Sequence, residues 1–250
     1  MGWKRQLKCT AFGVALLASA ATTAAAQQSD WSYEASIYLF MPETETSFDT
    51  PRGTVDGTLS FSDALENLDF AFMGAIAATN GRWSVLADYN YTNLSFSNAA
   101  PGPANADLDV SVKTQFLTAA LGYRVRQDSS VAVDLTGGFR WYSTETEFTL
   151  TPGTMPGRTN TADDSWFDPI VGARARFTLA DRWTGTAYVD YGGFRSGSQT
   201  WQVLLTADYI INDRWMLRGG YRYISFDHEI NGSDYKFTQS GPMFGATYRF

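Results

Sequence analysis

Cysteine is almost absent. The chain of 250 residues has one, Cys9, close to its N-terminus. The remainder can build neither a disulfide framework nor a thiolate metal site. Histidine also occurs once, as His228, and lysine four times. Basic clusters of the kind that hold nucleic acid are missing, and the formal charge is −7. Long apolar runs are missing outside the N-terminal segment, which excludes a helical membrane bundle. Collagen is excluded too, because the 22 glycines lack a one-in-three period. What the chain does have is hydrophobic content of 44%, too much for a disordered protein, and 15% aromatic residues rich in tyrosine and tryptophan.

The N-terminal segment reads as an export signal. Lys4, Arg5 and Lys8 form a basic region, Ala11 to Ala21 an apolar one, and Ala24-Ala25-Ala26 supply the small residues a signal peptidase needs. The apolar run is shorter than the ~20 residues of a helical span. Cys9 precedes it and is not placed for lipid attachment. The chain therefore divides into a signal peptide, 1–26, and one domain, 27–250, with Gln27 first in the mature protein. Cleavage removes three of the 19 basic residues and none of the 26 acidic ones. An acidic mature protein suits a surface facing water and divalent cations.

Beyond Trp31 the sequence alternates with period two, the signature of half-buried strands. Trp183, Gly185, Ala187, Val189 and Tyr191 share one face, with Thr184, Thr186 and Asp190 on the other. Trp201, Val203, Leu205, Ala207 and Tyr209 oppose Gln202, Thr206 and Asp208. Ten such segments can be drawn, near 31–41, 68–79, 83–96, 109–125, 130–146, 165–179, 183–195, 199–211, 215–228 and 235–250. The one helical candidate is 62–66. Tight turns at 79–83, 126–129, 180–183 and 212–215 alternate with longer connections, notably 42–67, 97–108 and 147–164. This layout predicts an all-β, closed, antiparallel up-and-down transmembrane β-barrel of about ten strands, eight being the alternative count.

Alternation alone does not say which face points inward. Aromatic residues on the apolar face fall at strand ends: Trp31, Trp83, Trp183, Trp215, Tyr123 and Tyr248 at one rim, Tyr91, Trp141, Trp201 and Tyr223 at the other. Smaller residues such as Ala87, Val189 and Ala207 lie between. Two girdles around an aliphatic band are what lipid selects, with the six tryptophans as interface anchors. The last strand ends Phe244-Gly-Ala246-Thr-Tyr248-Arg-Phe250. A terminal Phe250 with Tyr248 two positions before it resembles the C-terminal signature of Gram-negative outer-membrane β-barrel proteins. That resemblance implies outer-membrane lipids and the barrel-insertion machinery as partners, with Tyr248 and Phe250 as the assembly signal. It carries over no catalytic residue.

With the apolar face toward lipid, the lumen receives six acids, Glu34, Asp88, Asp134, Asp168, Asp190 and Asp208. It also receives seven arginines, Arg124, Arg140, Arg174, Arg176, Arg218, Arg222 and Arg249. Unpaired charge in a narrow lumen costs several kcal/mol each, so a packed core of salt bridges and tyrosines is expected. Small barrels fill their interiors in this way.

No Gly-x-Ser-x-Gly, His-Glu-x-x-His or phosphate-cradling motif is present. Asp227 and His228 are adjacent, so they face opposite ways; Ser225 and His228 also differ in parity. The sequence points to no catalytic residue, cofactor, metal or nucleic acid, and names no ligand. It reads as a non-enzymatic outer-membrane barrel serving envelope structure, surface interaction or limited small-solute passage. One alternative is an enzyme acting on lipid or peptide at the outer rim. Another is a soluble periplasmic lipocalin-like carrier, whose apolar face would point inward.

Overall fold

The computed structural model describes residues 31–50, 53–99, 105–152, 156–230 and 233–250. The segment expected to be a signal peptide, 1–26, lies outside the described residues. Period-two alternation is realised as twelve strands: β1 (Ser32–Phe40), β2 (Glu43–Thr50), β3 (Gly53–Leu59), β4 (Leu68–Thr79), β5 (Trp83–Ala99), β6 (Asn105–Gln127), β7 (Val131–Pro152), β8 (Arg158–Ala180), β9 (Trp183–Arg195), β10 (Ser198–Ile210), β11 (Trp215–Ile230) and β12 (Ser233–Arg249). One short helix, α1 (Phe61–Glu66), matches the helical candidate and is capped at Ser60, whose Oγ accepts from Asp63 N at 3.1 Å.

Ten strands close into a ring. β1 and β4 through β12 pair in sequence order, and β12 returns to β1. Every neighbour is antiparallel. The ring strands correspond to the ten segments drawn from the sequence. β12 serves two partners. Its lower half pairs β1, from Glu34↔Arg249 to Phe40↔Met243, and its upper half pairs β2, from Glu43↔Ser240 to Phe48↔Tyr235. Pro42, which lacks an N–H, marks the break between β1 and β2. β3 folds back on β2, and α1 leads the chain down into β4.

The connections expected at 42–67, 97–108 and 147–164 are largely strand. β6, β7 and β8 run 23, 22 and 23 residues, against 13 each for β9 and β10. A membrane strand needs only ~9–11 residues, so the β5–β8 wall stands well above the bilayer. Threonine-rich alternation sustains it. Thr149 and Thr159 face each other across the β7–β8 ladder, with hydroxyls 3.1 Å apart.

The opposite end is trimmed by side-chain-capped turns. Asn80 Oδ1 accepts from the backbone of Arg82 (3.0 Å) and Trp83 (2.7 Å), and Asn212 Oδ1 from Arg214 and Trp215 (both 2.9 Å). Gly81 supplies the positive φ of 84° in the first of these turns. Asp128 plays the same part with a carboxylate, accepting from Ser130 N (3.0 Å) and Val131 N (2.9 Å). Those backbone N–H groups of Ser130 and Val131 hold its carboxyl below the usual carboxylate range. A depressed native pKa contributes stability above the unfolded pKa and loses it as pH falls through the folded value. Exchange protection of the Ser130 and Val131 amides should therefore fall in acid. Asp128→Asn, which keeps an acceptor and removes the titration, should flatten that dependence. An identical acid profile in both proteins would show that the carboxylate does not hold the turn.

The barrel lumen as candidate functional site

The outer face is apolar and the inner face polar. Val189 is 49% exposed and Leu205 54%, whereas Arg140 and Asp168 are fully buried. The inward-facing apolar arrangement that a lipocalin-like carrier needs is the reverse of what the strands adopt. Trp201 and Tyr209, both on β10, lie eight residues apart. At ~3.3 Å rise and ~40° tilt that is about 20 Å along the barrel axis, close to a ~25 Å apolar band.

The rings at each rim pair across strands. At the lower rim Trp83 packs on Tyr123 (4.8 Å between centroids), Trp183 on Tyr209 (5.0 Å) and Trp215 on Tyr248 (5.0 Å). The arginine preceding each tryptophan donates to the same tyrosine hydroxyl: Arg82 to Tyr123, Arg182 to Tyr209 and Arg214 to Tyr248. Recurrent Arg-Trp turns thus build one repeated clamp. At the upper rim Trp201 stacks on Tyr223 (4.4 Å) and Trp141 meets Phe167 (6.3 Å). Trp31 precedes β1, half-buried, at the lower end. Phe250 is 76% exposed and meets Tyr248 edge-on, and its N–H donates to Tyr33 O at 3.0 Å, where β12 closes on β1.

Inside, the predicted charges meet in pairs. At mid-height Arg140 Nη2 lies 2.6 Å from Asp190 Oδ2, with both side chains 0% exposed. Arg140 also donates to Thr118 and Thr200 (2.9 Å each). Arg222 pairs with Asp88 at 3.2 Å, forks onto Gln202 Oε1 (2.6 and 2.8 Å) and donates to Tyr38 OH (3.1 Å). Tyr38 in turn donates to Asp88. Nearer the end with the tight turns Asp134 is shared by Arg124 and Arg174, Arg218 holds Asp208, and Arg249 holds Glu34 at 3.0 Å. Asp168 sits above this belt. It accepts from Ser198 Oγ (2.6 Å) and Trp166 Nε1 (3.2 Å), and Arg195 approaches at 3.5 Å. Arg176 is the exception: among the described residues no carboxylate is in ion-pair contact with it.

The lumen is not polar throughout. Above the ion pairs lies a stopper of buried apolar residues: Phe40, Phe116, Tyr142, Trp166, Ile224, Phe226 and Phe237, with Met73 and Met243. Tyr142 and Phe226 are each 1% exposed, with ring centroids 4.3 Å apart. The Arg222 guanidinium caps the stopper from below, 5.2 Å from the Phe116 ring. Sequence reasoning expected salt bridges and tyrosines alone. The missed signal is an inversion of alternation. On β12, Phe244, Ala246 and Tyr248 lie on the outer face, but further up Tyr235 and Phe237 face in while Lys236 is exposed on the outside. Beyond the girdle the outer face meets water, so apolar side chains move to the inside.

At the outer rim His228 stacks flat on Trp166 (4.1 Å, 3° between planes), and its Nε2 is 3.8 Å from Asp164 Oδ2. Ser225 Oγ bonds instead to Thr238 Oγ1 at 3.0 Å. Among the described residues His228 Nδ1 has no hydrogen bond. No three His, Cys, Asp or Glu side chains converge among the described residues as a metal would require.

No family model matches the sequence, and no curated protein matches it. Similar solved structures include the outer-membrane protease OmpT of Escherichia coli, with 11% identity and a TM-score of 0.45 over 88% of this chain and 97% of that one. The translocator domain of the autotransporter NalP of Neisseria meningitidis is similar at 15% identity and a TM-score of 0.44, covering 88% of each chain. Ail, the attachment invasion locus protein of Yersinia pestis, is similar at 11% identity and a TM-score of 0.38, over 88% and 98%. All three belong to Gram-negative bacteria. The ladders, rather than these likenesses, establish the closed ten-strand barrel.

Proposed function

We propose that the protein is a non-enzymatic integral barrel of the Gram-negative outer membrane, closed to solute flow, that works through its tall outer wall. The carrying observation is the apolar band between two aromatic girdles around a lumen blocked at mid-height. In this reading half-buried Tyr248 and exposed Phe250, at the closing strand, are what the insertion machinery meets. A closed lumen leaves solute passage without a route. The work falls to the wall of β5–β8, which carries Lys113–Glu145 as an outward ion pair (2.7 Å) and further acids at Asp109, Glu147 and Asp163. Contact with cations or with a partner at the cell surface fits that chemistry. Ser225 bonding away from His228 supplies no nucleophile–base pair, which favours the non-enzymatic reading.

The membrane assignment is tested by placing a charge on each face. Leu205 lies midway between Trp201 and Tyr209 on β10. Leu205→Arg should cost about 2–4 kcal/mol at the bilayer midplane. Thr186→Glu, on the lumen face opposite Arg176 and in a cavity of the lower lumen, should cost much less. Unfolding titrations in vesicles read both. Equal losses would place water, rather than lipid, against the outer face.

A further inference from the structure

Four of the five arginines lining the periplasmic half of the lumen have partners. Arg249 holds Glu34, Arg218 holds Asp208, Arg222 holds Asp88, and Arg174 shares Asp134 with Arg124. Arg176 has neither an ion pair nor a hydrogen bond within the described protein. The charges around it are Arg174 and Arg124, with Glu34 and Asp134, and both acids are already held by other arginines. The lining and its direct partners therefore set seven arginines (124, 126, 174, 176, 218, 222 and 249) against five carboxylates (Glu34, Asp88, Asp128, Asp134 and Asp208).

This surplus faces space. Arg176 opens onto a cavity of about 420 Å³, shared with Arg174, Arg218, Arg249, Ser36 and Thr186. Thr206 is also on the lining, and its Oγ1 makes no hydrogen bond within the protein. The lining reaches the β6–β7 turn, Gln127 to Val131, at the periplasmic end. The aromatic stopper closes the other end. Access is therefore from the periplasm.

We propose that this cavity is a binding site for a small oxyanion, a carboxylate or phosphate, with Arg176 as its principal ligand and Arg174 beside it. Arg176 is half-buried, and a guanidinium partly removed from water without a partner gains when an anion meets it. The planar fork of arginine matches a carboxylate or phosphate with two parallel hydrogen bonds. Four neighbouring arginines raise the local potential further. The site is independent of the outer wall and of whether the lumen conducts.

The test is thermal unfolding of refolded full-length protein in a neutral detergent. Inorganic phosphate or succinate is titrated against chloride at constant ionic strength. The unfolding midpoint of the native protein should rise with either oxyanion beyond the chloride control. Arg176→Met should bind about 10–100-fold more weakly, the loss of charge-assisted hydrogen bonds. Without oxyanion, Arg176→Met should unfold at a higher temperature than the native protein, because an uncompensated charge is gone. Arg158→Met, exposed at the outer start of β8 and away from the cavity, should leave the response intact. Should Arg176→Met fold poorly, Arg176→Lys keeps the charge without the fork and should show an intermediate response. The source of the anion is read by repeating the midpoints without oxyanion in vesicles. If Arg176 lowers stability in neutral detergent but not in phosphatidylglycerol vesicles, a lipid headgroup occupies the site. If it lowers stability in both, the anion is a free solute. No oxyanion response in the native protein together with no Arg176-dependent difference between detergent and phosphatidylglycerol, or an equal oxyanion response in Arg176→Met, would overturn the proposal.

Discussion

Replacing Arg140 with alanine should destabilise the barrel by about 3–5 kcal/mol. Arg140 and Asp190 have fully buried side chains 2.6 Å apart. Removing the guanidinium leaves the Asp190 carboxylate with Gln202 Nε2, at 3.3 Å, as its side-chain donor. It also takes from the Thr118 hydroxyl the guanidinium that donates to it, while Thr200 keeps Tyr142 and the Ser225 carbonyl. The penalty is that of an uncompensated buried charge rather than the net worth of the pair. The double replacement Arg140→Met with Asp190→Leu should therefore recover much of the loss, since apolar residues of similar volume often substitute for a buried pair. Urea titrations of the two single variants and the double variant in vesicles give the coupling directly. Additive losses would show that the two charges do not depend on each other.

Truncating the stopper is expected to have the second large effect, and it differs in kind. Tyr142 and Phe226 sit buried in the lumen against Trp166 and Phe237. Each change to alanine should cost about 3–5 kcal/mol through lost burial and the cavity left behind. Together they should also open a path above the ion pairs and give brief conductance. Removing a charge from the belt, as in Arg222→Ala, should destabilise the barrel without opening it, because the stopper above remains. Conductance from Arg222→Ala equal to that of the double aromatic variant would place the seal in the ion pairs instead.

Much of this was legible from the residues. Period-two alternation located the ten ring strands, because side chains of a strand must alternate faces whatever the partner. Ser62 to Glu66 stood out as helical. Trp83, Trp183 and Trp215 marked one rim because each follows an arginine at a tight turn. The charged positions lined the lumen by parity alone, as in the pairs Arg140–Asp190 and Arg218–Asp208. What parity does not carry is height. It could not show that Asp134 serves two arginines while Arg176 has none, because that depends on strands distant in sequence. The stopper was hidden for another reason. Phe226 and Phe237 alternate in the opposite sense to Leu217 and Phe244 on the same strands, and the change of sense marks where the outer face leaves lipid. The connections at 97–108 and 147–164 read as loops because they are polar, yet a strand whose outer face is in water is polar there too.

The central claim, a lumen sealed at mid-height, is tested most directly by single-channel recording of the native protein refolded into a planar bilayer. A sealed lumen requires a flat baseline at applied voltages where the truncated Tyr142 and Phe226 variant opens. Steady conductance of the native protein in the range of general porins would contradict it.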